Sequence, residues 1–207
     1  MSATHRIDFS LVIESADAGL EGTPIELGSH ISGSFLVDSG VEDIDFRNTV
    51  GVFEQAAFSG SITCESTLGQ DGEISLGLGE ITVTSSLFPG DSDGFNTVFA
   101  LNQGGIAGYT GFDPFDVGGV GLSFFDNDGL ALSSDSLEDA MASMLEGFSP
   151  GNGGSAMLTI ALQNGRDFYD GIGTLTSFDV TVIPSPGPIA LGAVAVGLIL
   201  GRRVTRG

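Results

Sequence analysis

The chain has no lysine, no tryptophan and a single cysteine among its 207 residues. With Cys64 alone, no intramolecular disulfide can form, and a domain of this size buries enough surface to fold without one. Cys64, His5 and His30 lie too far apart in sequence to suggest a zinc ligand set. The missing lysine leaves six arginines as the fixed cations, set against 27 acidic residues for a net charge of −21. Three of the arginines lie in the last six residues and every acid precedes them, so 27 acids against three arginines leave −24 on the rest of the chain. Binding to phosphates depends on neutralising them with Lys and Arg. Nucleic acid, anionic lipid surfaces and acidic polysaccharide are therefore excluded as direct partners unless divalent cations bridge. Tyrosine occurs only at positions 109 and 169, so with tryptophan absent the aromatic platforms that stack sugars are few.

What the chain does contain is apolar residues spread along its length, at 41% with 15 Phe, too many for a disordered segment. They alternate with polar residues at the period of a β-strand, which places successive side chains on opposite faces. Ile7, Phe9, Leu11 and Ile13 alternate with Asp8, Ser10, Val12 and Glu14. The pattern recurs at Ile31-Gly33-Phe35-Val37, Phe58-Gly60-Ile62-Cys64, Phe95-Thr97-Phe99-Leu101, Val120-Leu122-Phe124, Leu158-Ile160-Leu162 and Phe178-Val180-Val182. Between 73 and 85 the phase slips, which predicts a bulge or tight turn at Gly79-Glu80. Turn formers such as Asp71-Gly72, Asp93-Gly94, Asp128-Gly129 and Asn164-Gly165 punctuate the runs. Seven or more short strands of this kind predict an all-β fold: a single β-sandwich over residues 1–182, with a barrel as the alternative. Glycine-rich stretches around 103–119 and 149–154 read as mobile loops.

One segment departs from alternation. Ser136 is placed to cap a helix, with Leu137, Met141, Met144, Leu145 and Phe148 on one face. It reads as a short helix or lid across an open end of the sheet structure. Just beyond it, Gly147-Phe148-Ser149-Pro150-Gly151 has the spacing of a nucleophile elbow. The residue after that serine must give an oxyanion-hole N–H, and Pro150 has none, so no catalytic residue is assigned. Asp91, Asp93, Asp126 and Asp128 sit in loops that resemble the opening of calcium sites, since closely spaced carboxylates can converge on a hard cation. Neither loop completes the calcium-loop pattern: Leu137 stands where the bidentate Glu would be in one, Phe95 at the fifth position of the other. Glu42, Asp43 and Asp45 form a further candidate. Read as plain Asx turns, all of these need no ion.

The last residues read Ile183-Pro184-Ser185-Pro186-Gly187, then an apolar run over 188–201, then Arg202-Arg203-Val204-Thr205-Arg206-Gly207. As a helix the run covers about 21 Å at about 1.5 Å per residue, short of the roughly 30 Å hydrocarbon core. It can insert but is a poor permanent anchor, and the arginines behind it hold the cytoplasmic side. The prolines keep 184–187 extended, as a protease site requires. This order of a Pro-x-Pro motif, a short apolar helix and a basic end is similar to the PEP-CTERM sorting domain. The resemblance spans about the last 25 residues, with the strand-like 171–182 before it also in keeping. Pro184, Ser185, Pro186 and Gly187 fall on the family's motif, Ser185 standing where the name-giving pattern has Glu, and Arg202, Arg203 and Arg206 fall on its basic cluster. The resemblance implies recognition and cleavage by an exosortase, an integral-membrane cysteine transpeptidase, with transient membrane insertion through 188–201.

From these features the expectation is a domain at 1–182 followed by a sorting tail at 183–207. Its function is that of an exported, non-enzymatic protein of the cell envelope, cell surface or extracellular matrix, with no cofactor unless calcium binds. The alternative is a surface binding or adhesion module for carbohydrate or protein, calcium-assisted if the aspartate loops hold the ion. The opening residues from Met1 to Arg6 show no signal peptide. Export then predicts one upstream, with the numbered start near a cleavage site.

Overall fold

The computed structural model describes residues 3–45, 49–85, 93–126, 132, 134–141 and 154–184. The alternating runs become nine strands: β1 (Thr4–Ala16), β2 (His30–Asp38), β3 (Val50–Glu65), β4 (Gly72–Thr84), β5 (Asp93–Ala100), β6 (Ile106–Thr110), β7 (Asp116–Asp126), β8 (Gly154–Asn164) and β9 (Asp167–Ile183). Eight of them close into an antiparallel barrel in which each strand lies beside its neighbours in sequence, and β6 is an extra strand on β4. The seam is β9 on β1, running from Thr4↔Ile183 to Ala16↔Gly171. The expected sandwich is thus replaced by the barrel. Period-two alternation reports which side chains face inward, and it reads alike for two facing sheets and for one closed sheet. Pairing of the first strand with the last decides between them.

Ile7, Phe9, Leu11 and Ile13 face the interior and are buried, as are Phe35, Phe95, Phe99 and Phe124, while Arg6, Asp8, Ser10 and Glu14 face out. An eight-stranded barrel is just wide enough for side chains to fill it. Here aromatic rings do so: Phe35 meets Phe99 edge-on with centroids 5.5 Å apart, and Phe124 meets Phe95 at 5.9 Å and Phe178 at 5.1 Å. Each such side chain contributes about 1.5–3 kcal/mol through burial. Cys64 is buried as its parity predicts, and burial pushes its thiol pKa up to about 12. A thiolate nucleophile is not available there.

The barrel is not uniform in register. Phe53 pairs with Ile81 and Ala57 with Gly79, so β3 spends four residues where β4 spends two. Two non-glycine residues of β3 take positive φ, Gln55 at 58° and Ser59 at 44°. As a result Phe58, expected inward with Ile62 and Cys64, faces out: its partners are Leu36 and Leu78, and residues directly opposite share a face. Leu36 lies between the buried Phe35 and Val37, and Leu78 is exposed.

The slip in β4 falls at Gly77-Leu78, two residues before the expected Gly79-Glu80. The N–H groups of Gly77 and Leu78 both donate sideways, to the carbonyls of Gly105 (2.8 Å) and Gly104 (3.2 Å). Gly77 lies so close to the Gly104 carbonyl that no Cβ would fit. The 103–119 stretch, expected as a mobile loop, holds β6 and the start of β7, with β6 carrying on along β4 where β5 stops. Leu101, expected inward, is exposed on the 3-10 turn (Leu101–Gln103) between them.

The capped helix begins as read, with residues 137–141 helical. The Asp139 N–H donates to Ser136 Oγ at 3.2 Å, and Leu137, Ala140 and Met141 are buried in the core. Met144, Leu145 and Phe148 lie outside the described residues.

A left-handed conformation costs a non-glycine residue about 1–2 kcal/mol, partly offset by the entropy glycine loses on folding. Gln55→Gly should therefore raise stability by up to about 1 kcal/mol in equilibrium urea unfolding. An alanine at the same position should bring no such gain.

Candidate functional site

Closure gives the barrel two ends. At one, the tail end, β1 begins, β9 finishes and the helical residues 137–141 pack Leu137, Ala140 and Met141 into the core. The other, the far end, carries the connections β1–β2, β3–β4, β6–β7 and β8–β9.

At the tail end, Pro184 follows β9 directly and is exposed. Ser185, Pro186, Gly187, the run 188–201, Arg202, Arg203 and Arg206 lie outside the described residues. Among the described residues no helix is long and apolar enough to cross a membrane. Asp93 of β5 and Asp126 of β7, separate in sequence, are paired at this end. Asp93 is fully buried, and its Oδ2 accepts the Leu132 N–H at 2.8 Å. Its carboxylate works as an internal strut between β5 and the β7–β8 connection. Asp91 and Asp128 lie outside the described residues. Asp43 is likewise engaged, its Oδ1 accepting the N–H groups of Asp45 and Val52, both at 2.8 Å. Among the described residues, no group of three or more His, Cys, Asp or Glu side chains is placed to hold a metal ion.

His5 faces inward at the mouth of the tail end, buried, with no hydrogen-bond partner on Nδ1. Burial lowers its pKa, partly opposed by the Ala3 backbone and the Glu138 carboxylate. His30, at the start of β2, is exposed at the far end. The fold thus separates the two imidazoles, and Ser149 is outside the described residues.

The far end holds the features that sequence patterns missed. Glu26, in the β1–β2 connection, reaches the β3–β4 connection and accepts four hydrogen bonds there and at home. Its donors are the Gly22 N–H (3.0 Å), Ser66 Oγ (2.8 Å), Thr67 Oγ1 (2.8 Å) and the Leu68 N–H (3.1 Å). The Gly22 amide, followed by the Thr67 and Ser66 hydroxyls, holds its carboxyl below the usual range. This clasp presents Leu27 and Leu68, 64% and 71% exposed, on the rim of a depression of about 370 Å³ that Asp17 and Glu21 also line. Asp17 accepts the Asp170 N–H at 2.8 Å, while Glu21 is exposed. Nothing in the run Thr23-Pro24-Ile25-Glu26-Leu27 marks it in advance, because the partners of Glu26 come from a loop about forty residues away.

Both tyrosines lie at this end, yet their rings are partly engaged. The Tyr109 hydroxyl donates to Asp116, which raises the phenol pKa, and its ring meets Phe112 edge-on at 6.3 Å. Tyr169 meets Phe115 at 5.4 Å and covers Gly19. The fully presented aromatic here is Phe168, 69% exposed. Comparison with protein-family models, with curated proteins and with solved structures gave no match.

Two outcomes follow from these carboxylates. Removing Asp93 leaves a buried N–H unpaired, so Asp93→Ala should cost about 1–3 kcal/mol in urea unfolding. A depressed folded pKa makes the Glu26 contribution complete above the unfolded carboxyl pKa and lost as pH falls through the folded value. The melting temperature of Glu26→Gln should therefore lie below that of the unaltered protein at neutral pH, the gap closing on acidification below the ordinary carboxylate range.

Proposed function

We propose that the chain is an exported, non-enzymatic protein of the cell envelope, cell surface or extracellular matrix, delivered by its C-terminal tail and processed there by an exosortase-type enzyme. The observation that carries this reading is the tail itself: Pro184-Ser185-Pro186-Gly187, the apolar run 188–201 and the arginines 202, 203 and 206, in that order. The fold supports it in one respect. The last barrel strand ends at Ile183, so the motif begins on the first exposed residue after the domain. A protease needs an extended, accessible segment, and cleavage there leaves every strand of the barrel intact. With the arginines held on the cytoplasmic side, the tail end of the barrel faces the membrane and the far end faces away.

A second reading, a binding or adhesion module, is favoured by the far end. There Leu27 and Leu68 are exposed on connections that hydrogen bonds hold in place, with Phe168 exposed at the start of β9. With the tyrosine rings partly engaged, this surface suits a protein partner better than a sugar. Calcium enters this reading through Asp126 and Asp128. It requires a rise in melting temperature with millimolar calcium that Asp126→Ala with Asp128→Ala abolishes, and no shift removes it.

Deleting 184–207 should abolish surface delivery in the native host while leaving the purified domain folded by circular dichroism. Intact-mass analysis of protein recovered from cells should give a chain ending between Pro184 and Gly187. A full-length mass at the cell surface would instead make the tail a plain anchor.

A further inference from the structure

The barrel carries an apolar stripe on its outer face, across four neighbouring strands. Leu36 of β2 lies opposite Phe58 of β3, and Phe58 lies opposite Leu78 of β4. Beyond them Val98 of β5 pairs with Glu80, and Leu101 follows on the turn after β5. Leu78, Val98 and Leu101 are 43%, 46% and 44% exposed. An uninterrupted alternation would have turned Phe58 into the core. Instead Gln55 and Ser59, which take positive φ, flank it in the same strand. Sparsely populated backbone conformations thus accompany the placement of an aromatic ring at the surface, and strain of that kind gathers at functional sites.

The chemistry around the stripe is one-sided. Leu78 lines a depression of about 200 Å³ together with Glu54, Gln55, Glu80 and Gln103, two carboxylates and no cation. At the other end of the stripe Arg6, opposite Leu36, is held by Asp8 at 2.8 Å. We propose that this face docks a segment of a partner polypeptide that carries arginine or lysine beside an apolar side chain. The long stems of those residues lie along apolar surface while their charged heads reach carboxylates, here Glu54 and Glu80. A second copy of the chain fits less well, because each copy brings a net charge of −21 to the contact. The proposal is independent of the tail, so a failure of surface delivery leaves it standing and its own failure leaves delivery standing.

The test uses the full chain and two short fluorescent peptides of equal charge, one alternating leucine with arginine and one alternating serine with arginine. Fluorescence anisotropy should show the leucine peptide binding about tenfold tighter, as expected when a few apolar anchors dominate a contact. Leu78→Ser with Val98→Ser, both at exposed positions and checked for fold by circular dichroism, should remove that advantage. Glu80→Gln should weaken binding and flatten its salt dependence. Leu27→Ser with Leu68→Ser at the far end should leave binding unchanged. Equal binding of the two peptides, equal binding by the stripe variant, no binding at all, or a loss confined to the far-end variant would overturn the proposal. So would a dimer in sedimentation velocity that Leu78→Ser with Val98→Ser dissolves.

Discussion

From Thr4↔Ile183 to Ala16↔Gly171 the first and last strands hydrogen-bond to each other, and without that ladder each would be an open sheet edge. An exposed edge is a template for pairing with other chains, and closure removes it. The same ladder sets the positions of everything else. It brings β1's beginning and β9's end to one end of the barrel, and so puts Pro184 outside the domain beside Ala3. The antiparallel order of the strands then places the β1–β2 and β3–β4 connections at the opposite end, where Glu26 ties them together.

Closure carries a geometric cost that shows in the register. Strands in a closed barrel must tilt and stagger, and bulges are how a strand changes which residues face inward part-way along. β9 does so between Leu175 and Ser177, opposite Leu11 and Ser10. Leu175 is buried through one parity, whereas Phe178 packs on Phe124 through the other. In β3 the adjustment takes Gln55 and Ser59 into left-handed conformations, and in β4 it uses Gly77, whose missing side chain lets the Gly104 carbonyl approach. The interior gains two groups of packed rings, Phe9–Phe35–Phe99 and Phe95–Phe124–Phe178. The outer face acquires Phe58 in return.

The parts of this molecule that were legible in the sequence are those governed by local alternation. Ile7, Phe9, Leu11, Phe124 and Ile160 are buried by a rule that needs no knowledge of the partner strand. The Ser136 cap is equally local, since its donor is three residues away. Phe58 broke the rule because bulges depend on what the neighbouring strand does, and Leu101 because β5 ends one residue earlier, at Ala100. The choice between sandwich and barrel depended on a pairing between residues at opposite ends of the chain. Glu26 was illegible for the same reason. A carboxylate followed by leucine in a turn looks like ordinary solvated surface until Ser66, Thr67 and Leu68 are placed around it.

An acidic chain without lysine must hold its loop carboxylates in place by other means, and the described residues show how. Glu26, Asp17, Asp43 and Asp93 all accept backbone N–H groups, and Glu26 adds two hydroxyls. Hydrogen bonds from neutral donors to an ionised carboxylate are among the stronger ones and need no cation. The ion pair Arg6–Asp8, by contrast, is exposed, with side chains 51% and 43% accessible, and such pairs contribute little. Acidity in this fold therefore does two separable things: a few carboxylates brace the loops by accepting backbone N–H groups, and most of the other described ones remain on the surface as a field that favours partners carrying positive charge.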